Sequence, residues 1–165
     1  MRQNTIDEIL NHPISQELLA RDLARLAYTA LDGTPRAIPI GIHWNGKEIV
    51  MCTPTNAPKL ASLRRNPAVA LTIDTESHPP KILLLRGTVE LDHVDGIPDE
   101  YMQWSGTYEM TPEQRAEWEV NVKSLYKSMV RVVMTPTWVK LIDFEDTLPT
   151  AVEELLREQA ARQSA

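Results

Sequence analysis

The chain is poor in the residues that commit a protein to thiol, metal or phosphate-loop chemistry. It has one cysteine, Cys52, so neither an intrachain disulfide nor a multi-cysteine metal site can form. Cys52 ends the apolar run Ile49-Val50-Met51-Cys52 and reads as a small buried hydrophobe, not a nucleophile. The four histidines, His12, His43, His78 and His93, show no metal-ligand spacing, so no metal is expected. The 6 glycines are scattered and build no glycine-rich phosphate loop, and no nucleophile elbow occurs. No apolar run approaches the roughly 20 residues that span a bilayer. The segment Met1 to Leu10 is polar and acidic, without the apolar core of a signal peptide. Basic excess is also missing: the net charge is −6, which argues against a dedicated nucleic-acid binder. These absences imply a soluble cytoplasmic protein with no nucleic-acid or membrane partner. If it is an enzyme, a cofactor carries the reactive group.

What is present is one domain's worth of patterned sequence. A chain of 165 residues, 42% hydrophobic, suits a single domain over 1–165. Thr5-Ile6-Asp7-Glu8 predicts a capping box and Ser15 a second helix cap, giving short N-terminal helices within 1–22. Leu26, Tyr28 and Ala30 alternate at strand period. A continuous stretch from Arg36 to Asp74 then reads as strand, turn, strand, short helix, strand. Asn45-Gly46 is its hairpin signal, with positive φ expected at both positions. Ala57-Pro58-Lys59 opens its helix, and Asn66-Pro67 closes it. A long strand starts at Ile82, with Gly87 marking a bulge or a close approach. A short helix is expected from Pro98 to Trp104. Thr111-Pro112-Glu113-Gln114 caps a helix over 112–129, whose predicted apolar face is Trp118, Val122, Leu125, Tyr126 and Met129. Val130 to Phe144 returns to strand, and a last helix spans 150–163 with the stripe Val152, Leu155 and Leu156. The expected architecture is mainly β with peripheral helices: a six-stranded antiparallel barrel over 23–144, closed or partly open.

Two places bear on chemistry. Lys59 sits in the first turn of its helix, where the macrodipole disfavours a cation. Either a bound anion compensates it, with Thr53 and Thr55 upstream as hydroxyl donors, or it is an ordinary solvated lysine; the local sequence does not choose. The strand face of Ala37, Pro39 and Gly41 is unusually small. It suits either a planar ring lying close to the backbone or tight packing against a helix, with Pro39 marking a sheet edge. Arg64 and Arg65 lie where a helix C-terminus favours cations. Arg86 interrupts an apolar strand and needs an acceptor or exposure. Tyr28 and His43 are the candidates for an acid or base.

Trp44-Asn45-Gly46, Thr53, Lys59, Leu63-Arg64-Arg65-Asn66-Pro67, Arg86-Gly87-Thr88-Val89 and Pro136-Thr137-Trp138-Val139 occur in that order. Together they resemble the flavin-binding split β-barrel of the pyridoxamine 5′-phosphate oxidase-like superfamily, over about Leu23 to Phe144. The Leu-Arg-Arg-Asn-Pro form is most similar to its actinobacterial branch, which uses FMN or the deazaflavin coenzyme F-420. The resemblance implies a six-stranded split barrel and a flavin- or deazaflavin-dependent oxidoreductase acting on a small organic substrate. The alternative is a non-catalytic flavin, deazaflavin or haem binder; a structural dimer without ligand is a third reading. It implies a homodimer with the cofactor at its interface. For the cofactor phosphate it implies Thr53, Ala57, Pro58 and Lys59. For the isoalloxazine it implies Arg36, Ala37, Ile38, Pro39 and Ile40, with Cys52 and Ile82 also at the cofactor. The oxidases proper have Ser-Arg-Lys where Ala57-Pro58-Lys59 stands. They also carry a ring-contacting Gln where Ile82 stands, and a C-terminal Arg-Leu-His type motif absent here. A true pyridoxine 5′-phosphate oxidase is therefore not expected. A deazaflavin with its acidic tail would be favoured by Arg64, Arg65 or Lys81 at the pocket mouth.

Overall fold

The computed structural model describes residues 1–104 and 110–163, and of Trp104 only the backbone. Two N-terminal helices, α1 (Gln3–Leu10) and α2 (Pro13–Leu19), precede seven strands. These are β1 (Leu23–Thr29), β2 (Pro35–Gly41), β3 (His43–Trp44), β4 (Ile49–Pro54), β5 (Ala68–Asp74), β6 (Ile82–Asp95) and β7 (Ser128–Ile142). Helix α3 (Lys59–Arg65) joins β4 to β5, α4 (Asp99–Trp104) and α5 (Pro112–Leu125) join β6 to β7, and α6 (Thr150–Gln163) ends the chain. The strands form one sheet in the order β2-β1-β5-β6-β7-β4-β3, every pair antiparallel.

The seventh strand corrects the expected six. Alternation runs unbroken from Ala37 to Trp44, yet the strand divides at Ile42. Its amide still donates to the carbonyl of Asp22 at 3.0 Å, one step on from the Leu23–Gly41 pair, and beyond it the chain crosses to β4. β2 then pairs with β1, while the two-residue β3 pairs with β4. The two margins of the sheet are thus separated by a single residue, and β2 packs against β4 where the sheet curls round. The hairpin after β3 also differs from expectation. Asn45 precedes the bend, its Oδ1 accepting from the amides of Lys47 and Glu48, and only Gly46 has positive φ, 93°.

Inward residues of the strands build the core: Leu26, Ile40, Ile49, Met51, Leu71, Ile73, Leu83, Leu85, Val132, Met134 and Val139. The inner side of α3 adds Leu60 and Leu63, and α1 and α2 add Ile6, Leu10, Leu18 and Leu19. Gly87 lies at a register shift in β6, and a Cβ there would stand 2.1 Å from the carbonyl oxygen of Thr135. The capping box at Thr111 and Gln114 forms as its residues suggest.

Other local expectations fail. α1 begins before Thr5 and has no side-chain cap. His12, not Ser15, caps α2 by accepting from the Ile14 amide, while Ser15 is buried. α5 stops at Leu125, so Met129 belongs to β7 and the proposed helical face breaks up. Only Val122 of that helix is buried, and Leu125 is 70% exposed. Val152, Leu155 and Leu156 of α6 are exposed as well. β7 ends at Ile142, and Asp143 closes the following loop. Its Oδ1 accepts from the amides of Glu145, Asp146 and Thr147 and from the Thr147 hydroxyl. Among the described residues, no helix is long and apolar enough to cross a membrane.

Candidate functional site

The seam where the sheet's two margins meet holds a cleft of about 250 Å³. Pro39, Ile40 and Gly41 from β2 form one wall; Val50, Cys52 and Pro54 from β4 form the other. Ile42 and His43 close one end, and Glu100 and Tyr101 of α4 lie over it. α4 is held there by aromatic packing. Tyr101 stacks on Trp118 at 6.3 Å and meets Tyr126 edge-on at 6.2 Å, while Arg115 donates to the Met102 carbonyl at 2.9 Å.

Charge in the cleft is balanced locally. Arg131 lies opposite Cys52 in the β4–β7 register and opposite Asp92 in the β6–β7 register. Its guanidinium reaches Glu100 at 2.5 and 3.2 Å and Asp92 at 2.8 Å. Burial pushes the Glu100 carboxyl up, but the hydrogen bonds and charge of Arg131, with a smaller contribution from His43, outweigh it and hold the group ionised. The Cys52 thiol goes the other way. Desolvation, reinforced by the Glu100 charge, raises it to about 12 and keeps it protonated. A protonated, desolvated thiol is a poor nucleophile, as the apolar run around it suggested.

Beyond Pro54 the chain turns into α3. The Ala57 amide donates to the Pro54 carbonyl at 3.1 Å, which sets the start of the helix beside that end of the cleft. Pro58 is the helix cap residue and supplies no side-chain hydrogen bond. Lys59, the first helical residue, is half-buried, and burial alone draws its ammonium below the usual lysine range. No carboxylate or hydrogen-bond acceptor among the described residues pairs with it.

The remaining candidates fall into three groups. Ala37 and Pro39 are exposed on the outer face of β2. Cross-strand registers continue that face through Ala27 and Ala70 to Arg86, and through Arg25 and Thr72 to Leu84. Ala37, Pro39, Ala27, Ala70 and Thr72 are its small side chains; Arg25, paired with Asp74, crosses it, and Arg86 bounds it, lying over the Trp138 ring at 4.3 Å. Arg36 is exposed and turned back to Asp32 and Thr34. Ile38 and Ile40 point inward, and Tyr28 also packs on the core, away from the cleft that His43 lines. Thr53 is buried, Thr55 is exposed, and Ile82 is half-buried at the start of β6 between Asp74 and Ile142. The structure therefore brings Pro39, Ile40, Cys52 and His43 into one cleft, and Lys59, Arg36 and Ile82 are not among its lining residues, Lys59 opening the helix that follows Pro54. Glu100, Tyr101, Asp92 and Arg131 were missed. They come from elements far along the chain: strand pairing sets Arg131 opposite Cys52 and Asp92 beside Arg131, and the docking of α4 adds Glu100 and Tyr101. A larger, mostly apolar cleft of about 500 Å³ lies between α1, β7 and α6 and contains none of the predicted residues.

A family model described as pyridoxamine 5′-phosphate oxidase matches residues 10–139. Among solved structures, an F-420 reductase is similar at 26% identity, covering 76% of this chain and 94% of that one, with a TM-score of 0.58. A conserved hypothetical protein from Mycobacterium tuberculosis matches at 18% identity, covering 88% and 86%, with a TM-score of 0.58. A heme binding protein from Mycobacterium smegmatis matches at 15% identity, covering 80% and 55%, with a TM-score of 0.52. No curated protein matches.

Proposed function

This chain belongs to the pyridoxamine 5′-phosphate oxidase family, and from that premise we propose that it is a flavin- or deazaflavin-dependent oxidoreductase acting on a small organic substrate. The observation that carries the reading is Lys59. A half-buried ammonium with no counter-charge, at a helix start that disfavours cations, is costly unless an anion completes it. A cofactor phosphate is such an anion. The similarity to an F-420 reductase supports the same class of cofactor, with FMN the first choice and F-420 the alternative.

The rest of the site suits a ring. Pro39, Ile40 and Cys52 offer an apolar wall, Lys59 opens the helix that follows Pro54 of the same cleft, and the small outer face of β2, β1 and β5 lets a planar group approach the backbone. The cleft in one chain, about 250 Å³, falls short of the roughly 300–1,000 Å³ usual for ligand sites. A second wall is needed, and a second copy packed on the exposed small-residue face would supply it; the working form is thus a homodimer with the cofactor at its interface.

A flavin or deazaflavin supplies hydride chemistry when bound. The chain's own residues hold the phosphate at Lys59, exclude water with Ile40, Val50 and Tyr101, and keep the Cys52 thiol unreactive toward the ring. His43 is the candidate on the cleft for holding or passing a proton, while Glu100, held ionised by Arg131, supplies a fixed negative charge. Ala57-Pro58 in place of the Ser-Arg expected of oxidases proper removes a hydroxyl and a guanidinium from the phosphate end, so pyridoxine 5′-phosphate is not the proposed substrate. Absorbance titration of the purified protein with FMN and with F-420 tests the reading. Micromolar binding of one of them, weakened by Lys59→Ala, is expected, and absence of binding to both would overturn it. Turnover with a chemical electron donor then separates an enzyme from a binder.

A further inference from the structure

A second cleft, of about 230 Å³, lies between the β1–β2 turn and the last turn of α3. Three features set it apart from an ordinary surface hollow. Ser62 lines it yet is only 6% exposed, and its hydroxyl has no hydrogen-bond partner among the described residues. A helical serine commonly returns its hydroxyl to the carbonyl four residues back; this one does not, and the cleft is the space left to it. Arg65 also lines the cleft, and no carboxylate among the described residues pairs with its guanidinium. The nearest acid in the turn, Asp32, is already engaged by Arg36 and by Thr34. Asn66 is the third feature. Asn66 lines the cleft, and its Oδ1 accepts from the Ala68 amide, which leaves its NH₂ free of that bond and able to donate. Thr29 brings a further hydroxyl from the end of β1.

The donors of this cleft are a fork-shaped cation, an amide NH₂ and two hydroxyls, with no side-chain carboxylate among its lining residues. We propose that it binds an oxyanion, the phosphate or carboxylate group of a small ligand, in a bidentate grip by Arg65 seated on the Ser62 hydroxyl. Guanidinium matches the planar or tetrahedral oxygen pairs of these groups. The site is separate from Lys59, which does not line it. The carbonyl end of α3 offers an anion nothing, so Arg65 carries the charge of the interaction and its loss must be felt.

Isothermal titration of the whole protein with inorganic phosphate, and separately with acetate, tests this and tells a phosphoryl from a carboxylate source. Saturable binding of either anion is expected, weakened roughly tenfold or more by Arg65→Ala. Ser62→Ala should weaken it a few-fold, and Arg65→Lys should recover part of the loss. Lys59→Ala is the control, and it should leave this binding in place. Absence of saturable binding, or binding unchanged in both Arg65→Ala and Ser62→Ala, overturns the proposal. Phosphate binding lost only in Lys59→Ala also overturns it, while leaving the cofactor assignment standing.

Discussion

Replacing Lys59 by methionine removes the charge and keeps most of the buried stem, so its effects on stability and on binding should have opposite signs. In the ligand-free protein the ammonium is half-buried, unpaired, and at the wrong end of a helix. Removing a cation from that position should stabilise by about 0.3–1 kcal/mol. Cofactor affinity should fall, because a charge-assisted hydrogen bond contributes about 1.5–3 kcal/mol, or roughly 10- to 150-fold. The pH dependence follows from the direction of the shift. Burial lowers the amine in the folded chain, so between that lowered value and about 10.4 the unfolded chain binds more protons. Ligand-free stability should therefore rise with pH across that interval, and cofactor affinity should fall as the amine loses its proton. Lys59→Met should show neither trend. Thermal melts from pH 7 to pH 11 and parallel absorbance titrations read both quantities. A variant less stable by more than about 1 kcal/mol, with unchanged affinity, would mean that the lysine is a structural residue and the phosphate lies elsewhere.

Gly87→Ala should destabilise by about 2–3 kcal/mol, because the new methyl meets a backbone carbonyl at 2.1 Å and neither strand can yield without losing ladder bonds. A melting temperature within about 2 °C of wild type would refute that. Asp143→Ala should cost about 2–4 kcal/mol by stripping the acceptor of three amides and a hydroxyl. Burial opposes ionisation of Asp143, but those bonds win and hold it below the usual carboxylate range. Its contribution is therefore complete above about pH 4 and fades as pH falls through the lowered folded value. An acid-unfolding midpoint unchanged in the variant would count against this account. Cys52, raised to about 12, should resist iodoacetamide at pH 8 in the folded state and react on unfolding; rapid labelling of the native protein would contradict its burial.

Much of the framework was legible because the deciding signals are local. The turn at Gly46, the capping box of Thr111 and Gln114 and the crowding at Gly87 each leave a mark within a few residues of sequence, although Asn45 lacks the positive φ expected of it. The break at Ile42 was not, because hydrophobic alternation continues through it while the pairing partner changes from β1 to β4, which only the tertiary fold decides. The apolar face ascribed to α5 mixed two elements, since Met129 serves the sheet and Trp118 is only half-buried against Tyr101 and Arg115. Of the site, Lys59 and the wall of Pro39 and Cys52 lie within one run of sequence and could be read from it. Glu100 and Arg131 could not, because an ion pair across 31 positions leaves no periodicity behind.

The margin formed by β2 has a consequence for solubility. A sheet that leaves a strand unpaired on one side offers a template to any extended segment nearby, and aggregation can begin there. β2 carries Pro35 and Pro39 within seven residues, two positions with no amide to donate to an incoming neighbour. The seam can thus stay open to a flat guest while refusing a foreign β-strand, so replacing either proline puts the protein's dispersal in solution at risk before its fold.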